Sequence, residues 1–152
     1  MYYFAYGSNM DEDRMKRRGV RFFRKLSGIL HGHNLEFDKV SSKNENEGKA
    51  NVVPDEDNIV EGVLYEIKDG DISKLDEREV CPEHYVRMQM DIETKEGTKK
   101  AEIYIANKDK IKTGLKPTKE YLSHLLAGKK YLSDQYYAKL MSWPTLDQGG
   151  SK

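Results

Sequence analysis

Two stretches of the chain pair residue types that could move protons and steady charge. The first is Leu75-Asp76-Glu77-Arg78-Glu79. Asp71 is placed to cap a short helix over Ile72 to Glu79, and at about 100° per residue Ile72, Leu75 and Glu79 share a sector of about 60°. That arrangement turns a carboxylate toward apolar neighbours, which costs several kcal/mol unless the group is paired, hydrogen-bonded or neutral. Glu79 is therefore either a candidate general acid/base or the frayed, solvated end of a charged run with Asp76, Glu77 and Arg78. The second stretch is Tyr2-Tyr3-Phe4-Ala5-Tyr6-Gly7-Ser8-Asn9-Met10, an aromatic strand that breaks into a small polar turn. Gly7 permits a positive φ or a close approach, and Ser8 and Asn9 can bond to local backbone. Successive amides in such a turn can form an anion-binding concavity. The same residues also write an ordinary tight turn.

Other constellations are weaker. His31 and His33, with Glu36 and Asp38 following, share a strand face at i and i+2, but no second cluster stands at metal-ligand spacing and no metal is expected. Cys81 and His84 could form a nucleophile pair, although Cys81 precedes Pro82 in a loop without an oxyanion signature. No phosphate loop, dinucleotide fingerprint or serine elbow is present. Arg14, Lys16, Arg17, Arg18, Arg21, Arg24 and Lys25 form a basic run, which reads as a solvated face or as a contact for an anionic partner or a substrate carboxylate.

The elements that must position these residues follow from patterning. A chain of 152 residues suits one domain with one core. Lys plus Arg and Asp plus Glu both number 26, so no global field recruits nucleic acid or an anionic membrane. Cys81 stands alone, which excludes an intrachain disulfide, and no apolar run reaches signal or membrane-spanning length; a cytoplasmic protein is expected. Asp11 to Arg18 reads as a capped surface helix ending at Gly19. Leu26 to Phe37 reads as one or two strands with Gly28 and Gly32 as bulge positions, and Ser41 to Gly48 as a mobile loop. Ala50 to Val53 reads as a strand stopped by Pro54, with Asp55 to Asn58 turning into a second strand through Ile67. Val86, Met88, Met90 and Ile92, then Ala101, Ile103 and Ile105, predict a hairpin with one buried face. Thr118 and Ser133 cap two late helices, and 148–152 reads as a disordered tail after a single domain over 1–147. Strands followed by helices, without βαβ alternation, predict an α+β domain on a mostly antiparallel sheet or small barrel.

Taken in order, Tyr6-Gly7-Ser8-Asn9-Met10 after an aromatic strand, Val60-Glu61-Gly62-Val63-Leu64-Tyr65, and Leu75-Asp76-Glu77-Arg78-Glu79 followed six residues on by Tyr85 resemble the gamma-glutamylcyclotransferase family, including its AIG2-like and gamma-glutamylamine branches. The Pro117 to Tyr121 segment is similar too. The resemblance spans most of the chain. It implies a small twisted β-barrel flanked by helices, with the opening turn and one glutamate facing each other across a cavity. It implies Glu79 as the general acid/base, Tyr6, Gly7, Ser8, Asn9 and Met10 as the glutamyl-binding turn, and Tyr85 near the cavity. It implies a small γ-glutamyl substrate cyclised to 5-oxoproline, no cofactor, no nucleic-acid or membrane partner, and a monomer or homodimer. One departure stands out: family members commonly carry glycine directly after the glutamate, where this chain has Val80. That substitution leaves open a non-catalytic small-molecule or partner-binding module on the same fold.

Overall fold

The computed structural model describes residues 1–149. The expected tail falls outside the described residues from 150 onward, while 148 and 149 close a short helix. Strand β1 (Tyr2–Ala5) leads through a 3₁₀ turn (Ser8–Met10) into helix α1 (Glu12–Arg17). Strands β2 (Phe22–Val40) and β3 (Gly48–Ile67) form one long hairpin, followed by helix α2 (Ile72–Arg78). A second hairpin, β4 (Tyr85–Thr94) and β5 (Gly97–Ala106), precedes α3 (Lys119–Leu126), α4 (Asp134–Met141) and α5 (Leu146–Gly149). The strands close a barrel in the order β1-β3-β2-β4-β5, antiparallel except where β1 meets β5 at Tyr3 and Glu102. The α+β barrel with flanking helices is the fold the sequence predicted.

Several local expectations change. Pro54 does not stop a strand: β3 runs through it, with Pro54 opposite His33 and Ile59 opposite His31, so Asp55 to Asn58 bulge out of one continuous ladder. The Asp55 carboxylate holds that bulge, accepting from the Asp57 amide at 3.2 Å and the Asn58 side chain at 2.6 Å. Gly32, at φ +72, supplies the matching irregularity in β2, between His31 and His33. Asp71 does not cap α2. A 3₁₀ turn (Asp69–Asp71) runs straight into the helix, and the Asp71 carboxylate instead accepts from the Arg21 amide and guanidinium at 2.8 to 2.9 Å. Asp11, Thr118 and Ser133 do cap α1, α3 and α4 through their side chains.

The second hairpin buries both faces of β5, where Ala101, Glu102, Ile103 and Tyr104 are all buried. Ile92, Ala101 and Ile103 enter the barrel, whereas Val86 and Met88 on the same face are 37% and 45% exposed. On the opposite face Tyr104 and Glu102 are buried under α2, where Tyr104 donates to Asp76 at 2.7 Å and Arg87 bridges Asp76 and Glu102. β5 is therefore covered on both faces, while Val86 and Met88 of β4 stay exposed.

Gly28 is not a bulge. It pairs in register with Gly62, and the fully buried Phe4 ring lies over that glycine pair. A Cβ at Gly28 would stand 2.7 Å from Ile92, and one at Gly62 would stand 2.3 Å from the Ala5 carbonyl oxygen and 2.9 Å from Phe4. The glycines thus let β1 sit tightly on β3, which fixes where β1 ends and the opening turn begins. Gly62→Ala is expected to cost about 3 kcal/mol, because its clash is with backbone that cannot step aside. A urea unfolding midpoint unchanged from the parent protein would show that the barrel does not need this contact.

Candidate active site

The end of β1 delivers the chain to one mouth of the barrel, and the turn after Ala5 lies across it. A narrow cavity of about 40 Å³ is lined there by Tyr3, Tyr6, Gly7, Ser8, Asn9, Ala50, Glu79, Tyr85, Tyr104 and Tyr121. The site residues expected from sequence thus meet around one cavity, with Met10 the exception. The Met10 side chain is buried in the core against Gly128, and its amide is taken by the Gly7 carbonyl at 3.0 Å. The Asp11 amide is likewise taken by Ser8. Only the amides of Gly7, Ser8 and Asn9, which precede the first closed turn, can serve a ligand. Gly7 is needed for space and not for a left-handed backbone: its φ is −116, and an added Cβ would meet Ala50 at 3.1 Å.

Glu79 is the C-terminal cap of α2, one residue beyond the last full turn. Its side chain is 19% exposed, 3.7 Å from Arg18 and 3.4 Å from the Asn9 amide nitrogen. Burial pushes its pKa above the ordinary glutamate value, and Arg18, Arg14, Lys39 and Lys49 pull in the opposite direction. Its seat at a helix C-terminus adds to the penalty on the ionised form. The carboxylate is contacted, but by long contacts that leave it available.

How α2 ends explains the residue after Glu79. The Cys81 amide bonds to the Asp76 carbonyl at 2.9 Å and the Val80 amide to the Glu77 carbonyl at 3.2 Å, the paired hydrogen bonds of a Schellman motif. Its middle residue must be left-handed, and Val80 sits at φ +50. Glycine suits that position, and valine, branched at Cβ, adopts it under strain. Val80 therefore occupies the backbone conformation that a glycine would readily adopt there.

Asn9 links the parts. It is 2% exposed; its amide group donates to the Tyr3 hydroxyl at 2.9 Å, its side-chain oxygen accepts from Arg18 at 2.8 Å, and its carbonyl accepts from Tyr65 at 2.7 Å. The tyrosines sort by the direction of their hydroxyl protons. Tyr6 donates to the Tyr104 carbonyl at 2.5 Å and Tyr85 to the Ala50 carbonyl at 2.8 Å, so both protons are committed to the scaffold. Tyr3 and Tyr121 act as acceptors there, from Asn9 and from the Ala50 amide at 3.0 Å, which leaves their own protons for the cavity. Burial pushes all of these phenols up, Tyr121 to about 12, so they remain neutral donors near pH 7.

Sequence reasoning did not single out Tyr3, Tyr104, Tyr121 or Ala50, and it named Arg18 only as a member of the basic run. The available signal was the ten tyrosines in 152 residues. The basic run divides: Arg14 and Arg18 turn to the site, while Arg21, Arg24 and Lys25 pair with Asp71, Glu66, Glu96 and Glu12. His31 pairs with Glu93, and the His84 ring accepts from Lys39 at 2.7 Å. Among the described residues no group of three or more His, Cys, Asp and Glu side chains could hold a metal ion, and no helix is long and apolar enough to cross a membrane.

The family described as "Gamma-glutamyl cyclotransferase, AIG2-like" matches residues 3–125. The chain belongs to that family. A search of curated proteins found no match. Among solved structures, this family member resembles a gamma-glutamyl cyclotransferase at 25% identity and TM-score 0.82, over 97% of this chain and 89% of that one. It also resembles an uncharacterized protein from Homo sapiens at 26% identity and TM-score 0.83, covering 96% of this chain and 89% of that one. YkqA from Bacillus subtilis aligns at 26% identity and TM-score 0.83, covering 95% of this chain and 55% of that one.

Two substitutions test the site's physics in this cyclotransferase-family protein. Val80→Gly is expected to raise stability by about 1 kcal/mol in urea melts, since relief of the strained valine exceeds the added flexibility of the unfolded chain. Glu79→Gln is expected to melt higher than the parent at pH 7. The folded state binds the Glu79 proton more tightly than the unfolded state, so ionisation costs stability above the ordinary pKa of 4.5 and costs nothing well below it. The advantage of the glutamine should fade as thermal melts are repeated at progressively lower pH. A gap independent of pH would mean that burial does not tax the carboxylate.

Proposed function

We propose that the protein cyclises the γ-glutamyl group of a small γ-glutamyl amino acid or amine, forming 5-oxoproline and releasing the free amine. The observation that supports this reading most is the Glu79 carboxylate on the same narrow cavity as the Gly7-Ser8-Asn9 turn, with its pKa raised by burial. The α-amine of the glutamyl group attacks its own γ-carbonyl, one C–N bond forms and another breaks, and a proton passes from the attacking amine to the departing one. One carboxylate can serve both transfers in turn, provided its pKa lies nearer neutrality than an exposed glutamate's. The oxyanion of the tetrahedral intermediate needs donors fixed in advance. The amides of Gly7, Ser8 and Asn9 and the uncommitted hydroxyl protons of Tyr3 and Tyr121 are suited to that task. Holding the glutamyl chain folded supplies proximity, and no step calls for a metal or an organic cofactor.

Incubation with a panel of γ-glutamyl amino acids and γ-glutamylamines, with binding and 5-oxoproline measured separately, tests the reading. Glu79→Gln is expected to bind substrate yet lose about 10²- to 10⁴-fold in turnover. In the parent protein kcat/KM should fall on acidification through a pKa above the ordinary glutamate value of 4.5, because a protonated Glu79 cannot take the ammonium proton. Full activity in Glu79→Gln would overturn the assignment of the base. Binding across the panel without any 5-oxoproline would favour the non-catalytic module.

A further inference from the structure

Beside the narrow cavity, sharing Ser8, Glu79, Tyr85 and Tyr121 with it, opens a wider one of about 340 Å³. Its walls carry Arg14, Arg18, Lys39, Lys43, Lys49 and Arg78, and Glu79 is the sole carboxylate among its lining residues. This is a strong local imbalance for a chain with 26 basic and 26 acidic residues. Some of these cations have partners: Arg18 bonds to Asn9, Lys49 pairs with Glu47 at 3.1 Å, and Lys39 donates to His84. Among the described residues Arg14, Lys43 and Arg78 meet no carboxylate within 4.0 Å. Arg14 is fixed in place, with one guanidinium nitrogen 3.3 Å from His124 Nε2, and His124 in turn held at 2.8 Å by Asp11. Since a guanidinium only donates, Nε2 accepts and the Nδ1 proton goes to Asp11. Arg14 lines the cavity with no carboxylate to neutralise it, and its Nε is buried with no hydrogen-bond partner.

With the glutamyl end in the narrow cavity, whatever is joined to the γ-carbonyl must leave through this basic vestibule. We propose that the released amine carries at least two anionic groups, carboxylate or phosphate, received by Arg14, Lys43 and Arg78. An amine bearing a further positive charge is disfavoured by the same residues. The inference rests on the cyclisation reading for which end of the substrate lies where, but the anion site itself is open to a test that does not depend on turnover.

Calorimetry on the Glu79→Gln variant would compare γ-glutamyl-glutamate and γ-glutamyl-O-phosphoserine with γ-glutamyl-alanine and γ-glutamyl-ε-lysine. The two compounds with doubly anionic amines should bind about tenfold tighter than the alanine compound, corresponding to about 1.4 kcal/mol, and the lysine compound weakest. The tighter of the two identifies the preferred oxyanion. Lys43→Glu and Arg78→Glu, at exposed positions where folding should be unaffected, should each remove most of that preference, as should raising salt from about 0.05 M to about 0.5 M. Equal affinity for the alanine compound, or a preference indifferent to both charge reversals and salt, would overturn the proposal. Turnover of the same compounds by the parent protein is read separately: an intact preference without 5-oxoproline defeats cyclisation and leaves the anion site standing, and product without preference does the reverse.

Discussion

The Glu79 carboxylate is largely buried on the wall of a cavity, and burial raises its pKa above the ordinary glutamate value; much of the local structure bears on that one constraint. Water would return its pKa to an ordinary value, and a tight ion pair would drive it lower still. The protein avoids both. The side chain is 19% exposed, its cation stands 3.7 Å away, and its hydrogen bond from Asn9 is 3.4 Å long. Placing the residue at the end of α2 directs the negative end of the helix dipole toward it and leaves no free helical amide nearby to stabilise its charge. The left-handed Val80 then turns the chain away, so that the carboxylate is not followed into the cavity by its own backbone.

Keeping a carboxylate poised in this way requires a rigid neighbour, and Asn9 is that neighbour. Every polar group of its side chain and its carbonyl oxygen has a partner, which fixes the amide so that it points at Glu79 without yielding a short bond. Its position derives from the barrel: Tyr65 on β3 holds its carbonyl, and β1 reaches the turn along the narrow seam that Gly28 and Gly62 allow Phe4 to occupy. The same logic governs the phenols. Two spend their protons on strand carbonyls and so lock β3 and β5 to the cavity wall, and two receive protons from the scaffold and so keep their own for a ligand. Burial holds all four neutral, which makes them donors that do not compete with Glu79 for charge.

What was legible in the sequence is what depends on short-range pattern. Asp11, Thr118 and Ser133 cap helices because each decision is local, whereas the spacing of Glu79 to Ile72 and Leu75 left an inward carboxylate and a solvated helix end both open, and the structure shows the first. What was hidden depends on partners far along the chain. Asp71 looks like a cap until Arg21, fifty residues earlier, is seen to claim it. Tyr104 alternates with apolar residues and reads as solvent-facing, yet α2 packs over that face of β5 and takes its hydroxyl through Asp76. Pro54 has the right chemistry to end a strand, but an irregularity opposite Gly32 lets the ladder absorb it. Tyr121 shows nothing in its own helix beyond an apolar stripe; only the fold brings its hydroxyl to Ala50.

The basic vestibule and the raised pKa of Glu79 are coupled. Arg18, Arg14, Lys39 and Lys49 each favour the ionised carboxylate, so an empty vestibule holds Glu79 lower than burial alone would. Anionic groups received by Arg14, Lys43 and Arg78 would offset the field of Arg14 and its neighbouring cations at Glu79, and closing the vestibule against water would deepen the desolvation. Both changes raise the affinity of Glu79 for a proton, and both arise only when ligand is present. The carboxylate would thus become a stronger base as the substrate arrives. A neutral ligand would leave the cations unmatched and Glu79 correspondingly less basic, so the charge that selects the ligand in the vestibule also sets the proton affinity in the cavity beside it.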